Sequence, residues 1–437
     1  MFSHFKHLLP KSSLSHSSLR SFSLNKEFIV PNRERATIYA ENTDGMLSRI
    51  LGVFHHNNIR LTDVSTKPLN IDKNGKQQII YDIDFEGNLE SPKVAQLLKE
   101  LEVFSQVKVD YSCPEIPWFP SCFADLDHMG NMLQNPNEEA GKDHPGFNDP
   151  NYKLRRDEIA QNSLGYKMET PIPYLKYRPE ENKTWEHIYK ILRPLQEKYM
   201  CDSFNKSFEK MSSAGILKPT EIPQLQDINE FLIKETNWRL KPVTGILSQR
   251  EFLNSLALRT FCCTQYIRHF SKPEYTPEPD IIHEIMGHVA MFSDPAFCDL
   301  SQQIGLLSLG SSAECLEKLG ALYWYTIEFG VCKEGNDIKG YGAGVASSIG
   351  EIKNMGERKA EFRPLNPFVE LNTNFPIQSL QPVYYVANSF EDAGDMLIRF
   401  GERLPRPFKA YYNHKNNRVE VDKKIKLVKV DEKPIDF

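Results

Sequence analysis

The sequence of 437 residues has no apolar run near the ~18 residues that a membrane-spanning helix needs. Its eight cysteines are scattered and contain no C-x-x-C pair. This pattern argues against a disulfide framework or a structural zinc knuckle, and it favours reduced thiols. The formal net charge is −5, with no dense block of Lys and Arg interleaved with aromatic residues. Neither a membrane nor a nucleic acid is therefore an expected partner.

The first 26 residues lack acidic side chains altogether and contain eight serines and three histidines. With its scattered Lys and Arg, this segment is typical of a mitochondrial transit peptide, and Arg20-Ser21-Phe22-Ser23 fits a processing site. A disordered tail explains the composition equally well. Two compartments stay open: the mitochondrial matrix, with a transit peptide over residues 1–22, or the cytoplasm.

The pattern of residues 33–111 alternates between strand and helix. With 40% hydrophobic and 25% charged residues, the chain has an ordinary globular composition, and its length suits two or three domains. Strand and helix periods follow one another as βαββαβ, the ferredoxin-like order with two helices on one face of an antiparallel sheet. The proline-dense PEIPWFP at residues 114–120 then predicts an extended linker.

The longest segment, from Trp118 to about Asn413, is mostly helical by its pattern, with helix starts predicted at Asp125, Thr184, Asp227 and Ser248. The closing RVEVDKKIKLVKV alternates apolar and charged residues, which predicts two strands joined at Asp422-Lys423. The predicted fold class is therefore α+β: a ferredoxin-like domain, a large and mostly α-helical domain, and a short C-terminal β-ribbon arm.

The stretch TPEPDIIHEIMGH, which ends at His288, carries the clearest chemistry together with Glu328 in YTIEFG. Zinc peptidases place two histidines four apart in H-E-x-x-H, whereas His283 and His288 are five apart. On an ideal α-helix these two would point about 140° apart, so they reach one ion only if the helix ends or deforms, as Gly287 would permit. Two imidazoles and a carboxylate form the facial triad of non-haem Fe(II) oxygenases. A hydrogen-bonded histidine pair without an ion is the simpler alternative.

The segments TQYIRHFSKPEYTPEPDIIHEIMGHV, ALYWYTIEFGVCK and YGAGVASSIGE resemble the pterin-dependent aromatic amino acid hydroxylases. The similarity runs from about Arg33 to about Val430 and is greatest to members that act on phenylalanine. It implies Fe(II), a tetrahydropterin (tetrahydrobiopterin or a close analogue), O2 and an aromatic amino acid as partners. The domains expected from it are a leader or tail (1–26), an ACT-like regulatory domain (27–111), a linker (112–120), a catalytic domain (121–413) and a dimerisation arm (414–437).

The resemblance also assigns the metal and pterin residues. His283, His288 and Glu328 would be the iron ligands, which agrees with the triad inferred from ligand type and spacing. Glu284 would face the pterin, and it is a candidate catalytic carboxylate together with Glu328. Phe252 would stack on the pterin ring, and Tyr323 would form the opposite wall. The polar edge of the pterin would meet backbone groups near Val243, Gly245 and Leu247.

Arg268 matches the family residue that holds the carboxylate of the amino acid, a role that suits a planar guanidinium. Trp324 favours phenylalanine or tyrosine over tryptophan as substrate, although all three stay open. Glu351 is expected to orient Ser347 or the substrate ammonium. The resemblance implies that Tyr275, Thr276 and Ser347 help to bind the amino-acid end of the substrate. It also implies that Pro279 and Trp324 form the walls of the pocket for the aromatic ring.

Regulation and assembly are less determined by the sequence. Asp44-Gly45-Met46-Leu47 matches the ACT segment that helps to bind an amino acid, but Met46 and the run Val64-Ser65-Thr66-Lys67-Pro68 depart from the phenylalanine-responsive pattern. No long C-terminal tetramerisation helix follows the strands, so we expect a homodimer formed by the arm. Two other functions are alternatives: a zinc hydrolase, which the five-residue spacing disfavours, and a non-enzymatic amino-acid sensor, which the complete triad disfavours.

Overall fold

The computed structural model describes residues 33–71, 77–87, 91–109, 115–129, 144–245, 247–368, 375–376, 379–422 and 425–428. The leader or tail predicted over residues 1–26 lies outside these ranges and stays a prediction. Among the described residues, no helix is both long enough and apolar enough to cross a bilayer.

The N-terminal unit is a four-stranded antiparallel sheet with two helices. Its strands lie side by side in the order β2-β3-β1-β4. The predicted βαββαβ order of elements is therefore confirmed. Along the chain these elements are β1 (Arg33–Glu41), α1 (Met46–His56), β2 (Leu61–Ile71), β3 (Gln77–Glu86), α2 (Pro92–Glu102) and β4 (Gln106–Val109).

Alternation along β1 decides which face of this sheet the helices cover. Ala36, Ile38 and Ala40 are buried beneath α1 and α2 because successive side chains of a strand point to opposite faces. Phe54 of α1 and Phe85 of β3 meet in the same core, with ring centroids 5.4 Å apart. The unit thus has its own apolar core.

The rest of the described chain forms a largely helical unit around a second apolar core. Its α-helices are α3 (Phe123–Leu126), α4 (Pro150–Gly165), α5 (Pro179–Tyr199), α6 (Asp202–Ser213), α7 (Leu225–Thr236), α8 (Gln249–Ala257), α9 (Pro295–Ser308), α10 (Ala313–Tyr323), α11 (Ala343–Ser347), α12 (Ile349–Gly356) and α13 (Phe390–Gly401). Two π-helices, π1 (His283–His288) and π2 (Trp324–Glu328), and a 3-10 helix (Val289–Ser293) complete the helical elements of the described residues.

Short strands support the helices of this unit. β8 to β11 form a sheet in the order β10-β11-β8-β9, and β6 and β7 form a parallel pair. Parallel strands end at the same edge, so the segments that follow β6 and β7 lie next to each other, and the Val243 N–H donates to the Cys263 carbonyl at 3.0 Å. Within the described ranges, the strands of this unit are β5 (Glu115–Pro117), β6 (Arg239–Pro242), β7 (Thr260–Cys263), β8 (Val331–Glu334), β9 (Asp337–Gly340), β10 (Glu361–Pro364), β11 (Val383–Ala387), β12 (Ala410–Asn413), β13 (Arg418–Val421) and β14 (Lys426–Val428).

Of the linker predicted at residues 112–120, the structure describes residues 115–120, and these are packed into the helical unit. β5 pairs in parallel with β14, and the Trp118 N–H donates to the Val428 carbonyl at 2.8 Å. Phe119 is fully buried and stacks on Phe408, with ring centroids 5.7 Å apart. The proline density of this stretch predicted extended backbone, but not its pairing with a strand from the other end of the chain.

The predicted C-terminal ribbon has strands where the alternation placed them, but with other partners. β13 pairs with β12 as an antiparallel hairpin, whereas β14 pairs with β5. Val419, Val421, Ile425 and Leu427 are buried in the core of the helical unit. The predicted ribbon of two strands joined at Asp422-Lys423 is wrong, because β13 and β14 pair with different strands. The dimerisation role of residues 414–437 stays a prediction. Alternation specifies a strand with one buried face, and the partner of that strand depends on tertiary structure.

Candidate active site

Both segments that carry the three candidate metal ligands are π-helical. The N–H of residue i+5 donates to the carbonyl of residue i in such a helix, as Phe329 does to Trp324 at 2.9 Å. The wider turn brings positions five apart close to the same side, so His283 and His288 converge. The helix deformation predicted from their spacing is confirmed. The second π-helix, which ends at Glu328, was not predicted.

The three side chains meet closely enough to share one ion. The His283 and His288 Nε2 atoms are 3.1 Å apart, and they lie 3.5 Å and 3.0 Å from the carboxylate oxygens of Glu328. Ligand atoms at right angles around an ion about 2.1 Å away are about 3.0 Å from each other, so the spacing fits. All three residues are buried. Two imidazoles and one carboxylate suit non-haem iron with open positions for reactants.

Electrostatics keep His283 and Glu328 in the protonation states that bind metal. Burial lowers the pKa of His283 to about 4, so its imidazole is neutral near pH 7. Burial alone would raise the pKa of Glu328, but the two imidazoles outweigh it and lower that pKa to about 2. A neutral imidazole and an ionised carboxylate are the ligating forms.

A hydrogen bond between Nδ1 of His283 and the Ser347 hydroxyl fixes the tautomer of His283. Its Nδ1 lies 2.8 Å from the Ser347 hydroxyl, which itself donates to the Ala343 carbonyl at 2.7 Å. Since that hydroxyl proton is already used, the Nδ1–H of His283 donates to the Ser347 oxygen, and the Nε2 lone pair points into the triad.

A cavity with an empty volume of about 610 Å³ contains the triad. We call it the triad cavity. It brings together the predicted ligands, the predicted pterin segment and the two predicted ring walls, in a mostly apolar surface that suits a flat ligand. The predicted site residues in its lining are Val243, Gly245, Leu247, Phe252, Pro279, His283, Glu284, His288, Tyr323, Trp324 and Glu328.

The profile of the family described as biopterin-dependent aromatic amino acid hydroxylases matches residues 117–435. The chain belongs to this family. A phenylalanine-4-hydroxylase from Dictyostelium discoideum is 40% identical over 411 residues, which are 92% of this chain and 93% of that protein. A tyrosine 3-monooxygenase from Drosophila melanogaster is 43% identical over 305 residues, which are 70% of this chain and 53% of that protein.

Among solved structures, one of the Chromobacterium violaceum phenylalanine hydroxylase superposes with a TM-score of 0.51 and 26% identity. The superposition covers 57% of this hydroxylase and 93% of the bacterial chain. The similarity therefore spans nearly the whole bacterial protein.

Glu284 of this hydroxylase is held by the segment that follows β7. Its Oε1 accepts hydrogen bonds from the N–H and the hydroxyl of Thr264, at 3.1 and 2.9 Å. Burial raises the pKa of Glu284 to about 7, against the lowering effects of His288 and of Thr264. The carboxyl can therefore exist in both protonation states near neutral pH. Thr264 also lines the triad cavity, and sequence reasoning missed it.

Tyr323 does not form a wall opposite Phe252, contrary to the prediction. The centroids of the two rings are 5.1 Å apart and their planes are 85° from each other, so the rings touch edge to face. This separation leaves no room for a third ring between them. A heterocycle that stacks on Phe252 must therefore do so beside Tyr323.

Arg268 lies in the segment after β7 and is buried, at 5% exposure. Its Nε and Nη2 donate to the carboxylate of Asp280 at 2.8 and 2.7 Å, while Nη1 points to the Pro273 carbonyl at 3.4 Å. Asp280 also accepts the backbone N–H of His283 at 3.2 Å, which links the arginine to the start of π1. Arg268 lines a second cavity, with an empty volume of about 440 Å³, rather than the triad cavity.

Besides Arg268, four further predicted substrate residues lie outside the lining of the triad cavity. Tyr275 is 52% exposed, and the Thr276 hydroxyl donates to the Glu278 carbonyl at 2.6 Å. The Ser347 hydroxyl contacts Nδ1 of His283, whereas Nε2 of that ring faces the triad. Glu351 was predicted to orient Ser347 or the substrate ammonium. Its oxygens accept hydrogen bonds from the Gln381 N–H and the Tyr384 hydroxyl, while the Ser347 hydroxyl donates to Ala343 instead. Orientation of the ammonium stays a prediction.

Two buried polar residues that sequence reasoning missed support the site. Asp280 stands three residues before His283, a position at which an acid caps a helix start, so its spacing was a usable signal. Gln196 of α5 is fully buried, and its Nε2 donates to the carbonyls of Met286 in π1 and Ala346 in α11, at 3.2 and 2.9 Å. No sequence pattern identifies a residue that bridges two distant elements.

Proposed function

We propose that the protein is a phenylalanine 4-monooxygenase that converts L-phenylalanine to L-tyrosine with Fe(II), a tetrahydropterin and O2. The observation that carries this proposal is the buried triad of His283, His288 and Glu328 within the triad cavity. Similarity to a phenylalanine-4-hydroxylase over 92% of the chain supports the choice of substrate.

The triad would hold the iron, with three ligand positions left for reactants. Iron and reduced pterin together supply the activation of O2 when they are bound. The protein keeps His283 neutral and Glu328 ionised, and Ser347 fixes the tautomer of His283. A zinc hydrolase is the weaker assignment because its histidines would be four apart. Metal analysis of the purified protein separates iron from zinc.

The pterin would lie at the edge where β6 and β7 end. Phe252 would stack on the ring, and backbone groups near Val243, Gly245 and Leu247 would meet its polar edge. Glu284 would hold or release a proton towards the same edge, since its pKa is about 7. The apolar lining would exclude bulk water from the reacting atoms.

The amino acid would place its ring between Pro279 and Trp324, which both line the triad cavity. Its carboxylate would bind Arg268 through Nη1, which donates a long hydrogen bond of 3.4 Å to the Pro273 carbonyl, whereas Nε and Nη2 hold Asp280. Tyr275, Thr276 and Ser347 would surround the amino-acid end. Tyrosine and tryptophan are the alternative substrates of this site, and a non-enzymatic amino-acid sensor is the alternative without chemistry.

Arg268→Ala should raise the KM for phenylalanine by about 10- to 100-fold, the effect of losing a charge-assisted hydrogen bond to the carboxylate. The KM for the pterin should stay within about twofold, because the pterin site is separate. Steady-state kinetics with each substrate varied in turn measure both values.

Two further variants control this experiment. Arg268→Lys keeps a cation beside Asp280 and so limits the loss of stability that an unpaired buried carboxylate causes. Arg363→Ala removes an exposed arginine that pairs with Glu361 and should leave both KM values unchanged. A normal KM for phenylalanine in the folded Arg268→Ala variant would remove Arg268 from the substrate site.

We propose that the N-terminal unit, within residues 27–111, is an ACT-like regulatory domain. Its βαββαβ order and its separate core support this. Amino-acid binding near Gly45 stays a prediction. We place the catalytic domain from residue 115 to at least residue 428, since β5 and β14 pair with each other. The homodimer and the choice between mitochondrial matrix and cytoplasm also stay predictions.

A further inference from the structure

Trp324, a wall of the triad cavity, is held by a hydrogen bond that it donates to a residue outside the lining of that cavity. Its indole N–H donates to the side-chain oxygen of Gln381 at 3.1 Å. Both residues are buried, at 3% and 2% exposure. An indole nitrogen can only donate, so the orientation of the Gln381 carboxamide is fixed, with its oxygen towards Trp324.

The nitrogen of the same carboxamide holds the segment that covers Trp324. It donates to the Pro376 carbonyl at 2.7 Å. The adjacent Phe375 stacks on the indole, with ring centroids 4.4 Å apart and planes at 16°. The Gln381 side chain thus holds the N–H edge of the Trp324 indole and the segment that carries Phe375, the ring stacked on the indole. These two constraints leave the indole little freedom to turn.

Gln381 is itself anchored to α12 through its backbone. Its N–H donates to Glu351 Oε1 at 2.8 Å, and its carbonyl accepts from Asn354 Nδ2 at 2.9 Å. The second oxygen of Glu351 accepts from the Tyr384 hydroxyl. The two polar functions of the side chain and both polar groups of the backbone are therefore used, so any shift of Gln381 would break several buried hydrogen bonds.

Trp324 is also joined to the metal ligand set. It is the first residue of π2, and its carbonyl accepts the Phe329 N–H that closes the turn around Glu328. An indole fixed on one side by Gln381 and on the other by π2 keeps a constant distance to the triad. A side chain at this position therefore sets where the substrate ring lies relative to the iron.

We propose that Gln381 is a positioning residue that fixes the indole of Trp324 and thereby the substrate-ring wall, with Glu351 as its anchor. This inference rests on the proposed function, because it assumes that an aromatic ring binds against Trp324. It gives Glu351 a role in placing the substrate ring through Gln381, in addition to the orienting role predicted for it from the sequence.

Gln381→Met tests the inference, since methionine has a similar length but provides neither function of the carboxamide. Without its anchor the indole should turn, so the KM for phenylalanine should rise about tenfold while kcat changes less and the KM for the pterin stays within about twofold. Gln381→Glu keeps an acceptor for the indole N–H and should recover most of the loss. The same change at an exposed glutamine, Gln96→Met, should have no effect.

A spectroscopic measurement follows the indole without turnover. The protein has four tryptophans, and Trp324→Phe identifies the indole N–H resonance of Trp324 in ¹⁵N-labelled protein. In Gln381→Met this resonance should move upfield and its proton should exchange faster with solvent, while the other three stay in place. Gln381→Glu should keep the resonance close to its wild-type position.

The outcomes separate the two proposals. A wild-type protein that hydroxylates no aromatic amino acid contradicts the proposed function, whatever the spectrum of the variant. If the wild type is active but the Trp324 resonance or the KM for phenylalanine is unchanged in Gln381→Met, the positioning role of Gln381 is overturned. Movement of all four indole resonances would reveal a general disturbance of the fold and would equally overturn it.

Discussion

Glu328→Gln is expected to lower phenylalanine hydroxylation by at least about a hundredfold, since even residues outside the ligand set cost 10- to 100-fold in metal affinity when changed. The substitution keeps the shape of the side chain and removes its charge. In the wild type that charge lies 3.0 Å from His288 and 3.5 Å from His283, and their attraction lowers the pKa of Glu328 to about 2. Iron content per chain and the initial rate of tyrosine formation measure the effect.

Glu317→Gln is the matched control for this prediction. Glu317 is exposed on α10, the helix that leads into π2, so the same change there should alter neither iron content nor rate. Thermal unfolding should show both variants folded. Full iron content and a wild-type rate in Glu328→Gln would rule out the triad as the metal site.

Gly342→Ala is expected to destabilise the protein and to displace Glu328. A Cβ atom at position 342 would lie 2.4 Å from the Glu328 carbonyl oxygen and 2.4 Å from the Gly330 nitrogen. Both are backbone atoms, so neither can swing aside as a side chain would. Overpacking of this kind costs about 1–3 kcal/mol, and because π2 ends at Glu328, a shift there should weaken iron binding by at least about tenfold.

The thermal unfolding midpoint and an iron titration test this prediction. Gly394→Ala in α13 is the control, because no atom of the described residues, apart from its chain neighbours and the nearby backbone of the same helix, lies within 4 Å of its added Cβ. A helical alanine there should be neutral or slightly stabilising. If Gly342→Ala unfolds at the wild-type temperature and binds iron normally, then the close approach of the α11 start to Glu328 does not constrain the site.

Local signals in the sequence predicted most of the elements, and where they failed, a competing local signal explains the error. The helix predicted to start at Ser248 does so, because the Ser248 hydroxyl accepts the Glu251 N–H at 3.2 Å. The start predicted at Thr184 was wrong. That helix begins at Pro179, where proline fits the first helical position and Glu181 accepts the Arg178 N–H at 2.5 Å.

The pairing of strands that are far apart in the chain could not be predicted from the sequence alone. Alternation predicted β13 and β14 correctly as strands, but the partner of β14 is β5, and Lys426 bonds Glu115 across a separation of 311 residues. The metal residues were predictable because their spacing and chemistry are local. Gln381 was not, since its contacts to Trp324 and Glu351 depend on three elements packing together.

The central claim is most directly tested by supplying the purified full-length protein with Fe(II), tetrahydrobiopterin and O2, together with phenylalanine, tyrosine or tryptophan in separate reactions. Identification of the products and of the bound metal completes the measurement. We predict iron in the site, tyrosine as the product of phenylalanine, and phenylalanine as the fastest of the three substrates. Iron-loaded protein that hydroxylates none of them would contradict the account and favour an amino-acid sensor.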